Sequence, residues 1–500
     1  MSEQAYPPQP QARQPRPHRT RQVLLIIVAV LVLLLLGAWI YDYVGRTRLD
    51  DSVLEAQAQG LPVSFADIEN VMKQWPEDQN GAKLVLDMAE RLDEINSHAW
   101  ELDLPGFSPR LSLGTQLPEE AQEQAFAEVA GWAVDIARLD QVLNYERGWI
   151  GSDLMPHPFD SIGSDPYRQL RNAARLKAFQ IEAEANRGNT DGLVRDMGVM
   201  FRLARFASQP PALLGSLVET AINNLAVSTI EAACALAHPS DDQLIALDHL
   251  LSGIDLLGSF QASLVGERAY TIGAAQPFTR LIPRELRIEP VTCTTDGCST
   301  CTTDGFSHSH GRHWIPGLVG WHRWNHAQSL NALTRALAVE ADPHNPHRFY
   351  TELRRELEPP DSSYHLSNVL LASLSRALDI TTRSQAEITC ARVALAAERY
   401  RRATGDFPEM LDRLVPDYLE ELPHDPFDGQ PLRYKVTDEH VIIYSVGENL
   451  TDDGGMVARL MEEGQAKDFG FVLLPPDKRG QPSGGAVNLA GEMSPEQIEH

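Results

Sequence analysis

The sequence has none of the short motifs that mark common catalytic sites. It has no H-E-x-x-H pair, no G-x-S-x-G turn, no phosphate-binding P-loop and no G-x-G-x-x-G after a predicted strand. Pairs of Asp and Glu are abundant, but nothing in the pattern selects one pair as a catalytic acid and base. The missing motifs favour a protein without enzymatic activity.

Positive charge is also scarce. The chain of 500 residues carries 43 Lys and Arg against 69 Asp and Glu, which gives a formal net charge of −26. Such a surface repels phosphate backbones, so we expect no nucleic-acid partner. The hydrophobic fraction of 43% is ordinary for a folded protein, and the length allows two or three domains.

Five cysteines are too few for a disulfide-stabilised scaffold of this length. Cys234 and Cys390 lie in Ala-rich stretches with helical periodicity, where a cysteine is most often a small buried hydrophobe. The other three, Cys293, Cys298 and Cys301, lie close together in a stretch of different character.

One stretch lacks charge altogether. Residues 23–40 read VLLIIVAVLVLLLLGAWI, and a helix of this length spans roughly 27 Å, close to the hydrocarbon thickness of a bilayer. No A-x-A-like cleavage site follows, so we predict an uncleaved transmembrane signal anchor over 23–43. Arginines in the preceding disordered tail, residues 1–22, favour a cytoplasmic N-terminus. The anchor would then sit in the inner (cytoplasmic) membrane, with the rest of the chain extracytoplasmic.

Periodic apolar residues predict a mainly α fold beyond the anchor. Ser64 and Asp67 have the spacing of a capping box that opens a helix. Further helices are predicted at about 82–95, 119–146, 167–186, 190–207, 211–237, 241–265, 324–341, 347–357 and 365–383. Short loops between them indicate helix hairpins packed into a solenoid-like or bundle ectodomain, without a fixed repeat period.

Composition shifts divide this region into five parts. They are a helical domain at 50–273, a Cys/His-rich loop insert at 274–323, a helical continuation at 324–384 and, after a small C-terminal domain at 385–474, a disordered tail at 475–500.

The insert brings together side chains that bind metals. They are Cys293, Cys298, Cys301, His308, His310 and His313. Zinc and copper prefer thiolate and imidazole ligands, and short spacing lowers the entropy cost of closing a site. The spacing matches no standard zinc finger. A local disulfide and a polar loop without a ligand stay open as alternatives, because an extracytoplasmic location favours disulfides.

The stretch 386–455 has the clearest order of elements in the chain. Ile388, Ala391 and Leu395 follow helical spacing, and Gly405 supplies a stop. Four charged residues are predicted to form the polar side of this helix: Glu398, Arg399, Arg401 and Arg402.

A hairpin is predicted further along the same stretch. Pro408 suits the first turn of a short helix, which Pro416 ends. Residues 425–429 form a turn sequence, and 432–436 and 441–445 alternate like two strands joined by a tight loop.

At these residues the chain resembles the periplasmic domain of the major pseudopilin of type II secretion systems. The matching pieces are ERYRRATGDFPEMLDRLVPDYLEELPHDPFDGQPLRY, residues 398–434, and VIIYSVGENLTDDGG, residues 441–455. The resemblance implies a small α+β pseudopilin-like domain at 385–474. The processed G-F-T-x-x-E motif that opens the membrane helix of that family is absent. The whole chain is similar to large single-anchor envelope proteins of planctomycete-type bacteria.

In the pseudopilin family a calcium-holding loop follows the Y-S-x-G segment. The resemblance implies calcium as a cofactor here, with ligands at Asn449, Asp452, Asp453 and Asp468. Oxygen-rich loops suit Ca²⁺, which takes about six to eight oxygen ligands. Asn449 stands where the family pattern has an Asp, and residues 456–467 form an insertion. An acidic Gly-rich turn without a bound ion stays open as the alternative.

These observations predict a membrane-anchored extracytoplasmic scaffold that binds envelope proteins and is not an enzyme. One alternative is a metal-dependent extracytoplasmic enzyme that uses the Cys/His-rich loop. Another, implied by the resemblance, is an accessory component of a type II secretion or pilus-like machine.

Overall fold

The structure is a computed structural model. It describes residues 17–58, 60–64, 67–68, 70, 75–101, 113–150, 165–209, 211–275, 316–342, 345–359, 365–460 and 465–482. Most described residues are helical, and a small antiparallel sheet lies near the C-terminus, so the coarse prediction of a mainly α fold with a small α+β part is confirmed.

The helices of the described residues are α1 (Pro17–Ala58), α2 (Gly81–Leu86), α3 (Ala89–Glu101), α4 (Glu119–Gly131), α5 (Ala133–Asp140), α6 (Asp165–Asn186), α7 (Leu193–Ser208), α8 (Leu213–Leu236), α9 (Asp241–Ser252), α10 (Leu256–Ala275), α11 (Pro316–Leu337), α12 (Pro346–Leu357) and α13 (His365–Thr404). The strands are β1 (Arg433–Val436), β2 (Val441–Ser445) and β3 (Phe469–Leu473).

The chain forms two compact units. The first comprises residues 1–55 and 274–328, and the second comprises 56–273 and 329–500. In the first unit, the apolar side chains of α1 from Val23 to Leu36 are exposed. The helix is long and apolar enough to cross a membrane, which confirms a candidate N-terminal span. Helix α8 passes the same test of length and composition, but 61% of its most apolar window is buried, as expected for a core helix.

Local capping explains several helix starts in the second unit. Ser64 and Asp67 form the predicted capping box, since the Asp67 N–H donates to Ser64 Oγ at 3.2 Å and the Ser64 N–H donates to Asp67 Oδ2 at 2.9 Å. Ser240 and Gln243 cap α9 in the same reciprocal way. Asp255 caps α10, because its Oδ1 accepts the Gly258 N–H at 2.8 Å.

The predicted long helices are interrupted where such local signals intervene. The helix predicted at 119–146 is α4, α5 and a 3-10 turn at Gln141–Asn144, with a break at Trp132. The helix predicted at 241–265 ends at Gly253, and α10 starts after the new cap at Asp255. The helix predicted at 82–95 is likewise two helices, α2 and α3.

Helix α13 runs without a break from His365 to Thr404, so the boundary predicted between 384 and 385 falls inside one element. The predicted apolar stripe is correct, because Ile388, Ala391 and Leu395 are at most 1% exposed. Cys234 and Cys390 are both free and buried, as expected. The helix ends at Gly405, whose φ of +102° suits a residue without Cβ.

The sheet has the strand order β1-β2-β3, and both pairs are antiparallel. The predicted hairpin is confirmed, with Val436 opposite Val441. Strand β3 lies on the other side of β2, with Phe469 opposite Ser445, and was not predicted. One face of the sheet joins the apolar core of the long helices, where Val441, Ile443 and Phe471 are fully buried.

The fold continues beyond the predicted end of the C-terminal domain at 474. The Gly480 N–H donates to Ala235 O at 3.1 Å, and the Gln481 N–H donates to Gly114 O at 2.8 Å. Arg479 is only 6% exposed. Residues 475–482 are therefore an ordered part of the second unit, and the predicted disordered tail began too early.

Candidate functional site

The acidic loop is the predicted site whose residues the structure describes. It is defined here as residues 447–455 together with Asp468, and it lies between β2 and β3. The six side chains of the predicted Cys/His site, Cys293, Cys298, Cys301, His308, His310 and His313, lie outside the described residues.

Asp468 is the central acceptor of the acidic loop. Its side chain is fully buried, and its Oδ2 accepts the N–H groups of Gly455 at 2.8 Å and Met456 at 3.1 Å. Its Oδ1 accepts the Asp453 N–H at 3.4 Å. Burial raises the pKa of Asp468, and the three backbone N–H groups lower it in part. One carboxylate thus organises the backbone of the loop.

The two neighbouring aspartates each face other donors. Asp452 Oδ1 accepts the Tyr444 hydroxyl and the Gly454 N–H, both at 2.9 Å. Asp453 accepts Asn449 Nδ2 at 2.8 Å and Lys467 Nζ at 3.3 Å. The loop places Asn449, Asp453 and Asp468 close together, but it turns their oxygens towards protein donors.

In this arrangement the carboxylate oxygens of Asp453 and Asp468 face protein donors. Calcium needs several oxygens that converge on one point, whereas here N–H groups and an ammonium occupy the acceptor positions of Asp453 and Asp468. Among the described residues, no group of three or more His, Cys, Asp or Glu side chains is arranged to hold a metal ion. Ligation would require Asp453 to exchange Lys467 for the ion. Calcium binding stays a prediction from the resemblance.

Glu231 of α8 fixes β3, and the segment that follows the acidic loop, to the helical body. Arg459 Nε donates to Glu231 Oε2 of α8 at 2.5 Å, and Arg459 Nη2 donates to Ser228 Oγ at 2.7 Å. Glu231 Oε1 also accepts the Val472 N–H at 2.7 Å, so the same carboxylate satisfies a backbone donor of an edge strand. The sheet is therefore held to α8 by a charged contact as well as by apolar packing.

A second charged cluster holds the C-terminal segment. Glu398 of α13 is 1% exposed and accepts Arg479 Nη1 at 2.9 Å and Nη2 at 2.7 Å. Arg401 and Arg402 donate to the same carboxylate at 2.8–3.0 Å. Glu398, on the predicted polar side of this helix, is thus buried, and its partner Arg479 is remote in sequence.

Two acids, Glu182 and Glu387, predict a pH dependence of stability. Burial raises the pKa of Glu182 and of Glu387 to about 7, while Arg459 and Arg383 lower these values in part. Both groups hold their proton more tightly in the native than in the unfolded state. Their contribution to the unfolding free energy is therefore greatest below about pH 4.5, and it is lost as pH rises towards 7.

We expect the unfolding free energy of Glu387→Gln to fall less between pH 5 and pH 7.5 than that of the wild type, because the amide cannot ionise. Urea unfolding of the detergent-solubilised chain at several pH values measures this difference. The exposed Glu340→Gln is the matched control. Equal pH slopes in the wild type and Glu387→Gln would refute the prediction.

Comparison of the chain with family models, curated proteins and solved structures found no match. The pseudopilin and envelope-protein resemblances stay predictions that rest on the sequence motifs.

Sequence reasoning missed the residues that hold the sheet in place. Arg459 lies in the stretch interpreted as an insertion, and Arg479 lies in the predicted tail. One signal in the sequence could have indicated such a contact. Glu231 interrupts an apolar run in α8, and a charge buried among apolar residues needs a partner.

Proposed function

We propose that this protein is a membrane-anchored scaffold whose extracytoplasmic part binds other envelope proteins and does not catalyse a reaction. Helix α1 carries the observation that supports it most, since its apolar side chains are exposed over a length that suits a bilayer. The anchor is proposed to lie in the inner membrane with the N-terminus in the cytoplasm, as the arginines of the tail favour.

The second unit supports this proposal through the way its parts are joined. The sheet is fixed to α8 by the half-buried pair Arg459–Glu231, and the C-terminal segment is fixed to α13 by the buried pair Arg479–Glu398. A surface built on such contacts keeps one geometry, which lowers the entropy cost of binding a partner.

The test is capture of partners by the full-length chain from crosslinked envelope membranes. The control bait carries residues 1–58 fused to an unrelated extracytoplasmic domain, so that it shares the membrane but not the binding surface. We expect the full-length chain to enrich one or a few envelope proteins that the control does not. Identical recoveries from both baits would contradict the scaffold proposal.

The two alternatives predict different results. A metal-dependent enzyme built on the Cys/His-rich loop would purify with stoichiometric zinc or copper, and replacing Cys298 and Cys301 by Ser would remove the metal. An accessory component of a type II secretion or pilus-like machine would instead capture pilin-type subunits.

A further inference from the structure

The end of the apolar stretch of α1 can be located along the helix axis. The stretch ends at Ile40, and α1 continues without a break to Ala58. At about 1.5 Å per residue, Tyr41 follows within roughly 2 Å of that end and Arg48 lies roughly 12 Å beyond it. Any group that contacts both residues therefore lies just outside the hydrocarbon layer, if the anchor spans the membrane as proposed.

Trp324 of α11 makes both contacts within the first unit. Its ring stacks on Tyr41 with centroids 5.7 Å apart and planes 20° from parallel. The Arg48 guanidinium lies over the same Trp324 ring, 4.1 Å from its centroid. The indole is therefore placed between the levels of Tyr41 and Arg48, about 2–12 Å from the end of the apolar stretch.

That range of levels includes the headgroup layer of a bilayer. The hydrocarbon core is about 30 Å thick and the whole bilayer about 40–45 Å, which leaves a polar layer of roughly 5–8 Å on each side. Trp and Tyr favour this layer because their rings are apolar and their N–H or O–H groups are polar. Trp39 and Tyr43 of α1, which stack on each other and are 57% and 58% exposed, mark the same boundary.

We propose that α11 makes a second contact with the membrane, and that Trp324 sits in the phospholipid headgroup layer of the extracytoplasmic leaflet. The chain would then meet the bilayer at two places that are almost 300 residues apart in sequence. This inference rests on the proposed membrane anchor.

Quenching of tryptophan fluorescence by brominated lipids tests the proposal. The full-length chain is reconstituted in phosphatidylcholine nanodiscs whose acyl chains are brominated near the glycerol backbone. Trp324→Phe is the test variant. Trp39→Phe is the positive control, and Trp132→Phe, which removes a tryptophan 5% exposed in the core of the second unit, is the negative control.

We expect the quenched part of the emission to fall in Trp324→Phe and in Trp39→Phe, and to stay unchanged in Trp132→Phe. If the quenched part of the emission falls in Trp39→Phe but not in Trp324→Phe, the second contact would be overturned and the anchor would stand. No fall in either variant would overturn the anchor as well. If Trp324→Phe does not fold, Trp324→Tyr keeps a ring on Tyr41 and gives the same test.

Discussion

Replacing Glu398 by Leu is expected to lower the unfolding free energy by about 3–5 kcal/mol, the usual cost of breaking a buried ion pair by removing one partner. The side chains of Glu398 and Arg479 are each 1% exposed. The carboxylate accepts both terminal nitrogens of Arg479, at 2.9 and 2.7 Å. Without it, the guanidinium stays buried, and the remaining acceptor among the described residues is the Leu474 carbonyl, 2.8 Å from Nε.

The pKa of Glu398 supports a strong interaction. Burial acts to raise this pKa, but hydrogen bonds from Arg401 and Arg479 lower it to about 2. The pKa of Glu398 is lower in the native state than in the unfolded chain. Its contribution to the unfolding free energy is therefore complete above about pH 4.5 and is lost as pH falls towards 2. The substitution should therefore be measured near neutral pH, where its full effect is present.

Urea unfolding of the detergent-solubilised full-length chain gives the measurement. The matched control is Glu352→Leu, which breaks the exposed pair with Arg348 at 3.0 Å on another helix and should change the free energy by no more than about 1 kcal/mol. Adding Arg479→Met to Glu398→Leu should recover part of the loss, because the unpaired charge is removed as well. A loss no larger than that of the control would show that the pair does not stabilise the fold.

The elements that could be predicted from the sequence are those with local signals. The hairpin of β1 and β2 follows from alternating residues around a tight turn, and the stripe at Ile388, Ala391 and Leu395 follows from helical spacing. The capping box at Ser64 and Asp67 is equally local. Each of these depends on residues a few positions apart.

What could not be predicted depends on partners that are distant in sequence. Glu398 lies beside Arg401 and Arg402 in the sequence, a pattern typical of a solvated helix face. In the folded chain Glu398 also binds Arg479, which is 81 residues away in sequence. In the acidic loop, the aspartates alone are typical of calcium ligands. The donors that occupy them, the N–H groups of Gly455 and Met456 and the ammonium of Lys467, become visible only in the folded chain.

Lys177→Met is the second substitution expected to have a large effect, also about 3–5 kcal/mol. Lys177 of α6 has a side chain that is 0% exposed. Its ammonium donates to Gln180 Oε1 and Asp196 Oδ1, both at 2.7 Å, and to Asp140 Oδ1 at 2.8 Å. It therefore joins the end of α5 to α6 and α7.

Methionine has a similar volume to lysine and no charge. Lys177→Met therefore leaves the buried Asp196 without the cation closest to it. The Asp196 side chain is 1% exposed, and its Oδ2 has no hydrogen-bond partner among the described residues even when Lys177 is present. Arg195 Nε remains 3.0 Å from Oδ1, but the Arg195 side chain is 52% exposed and water screens its charge. The cost comes from an uncompensated carboxylate rather than from lost packing.

The same substitution at an exposed ion pair separates these causes. Lys478→Met removes the pair with Glu439, at 3.1 Å and with side chains 38% and 69% exposed, and should cost about 1 kcal/mol or less. Adding Asp196→Asn to Lys177→Met should recover stability if the buried charge is the cause. A double variant no more stable than Lys177→Met would instead assign the loss to packing between α6 and α7.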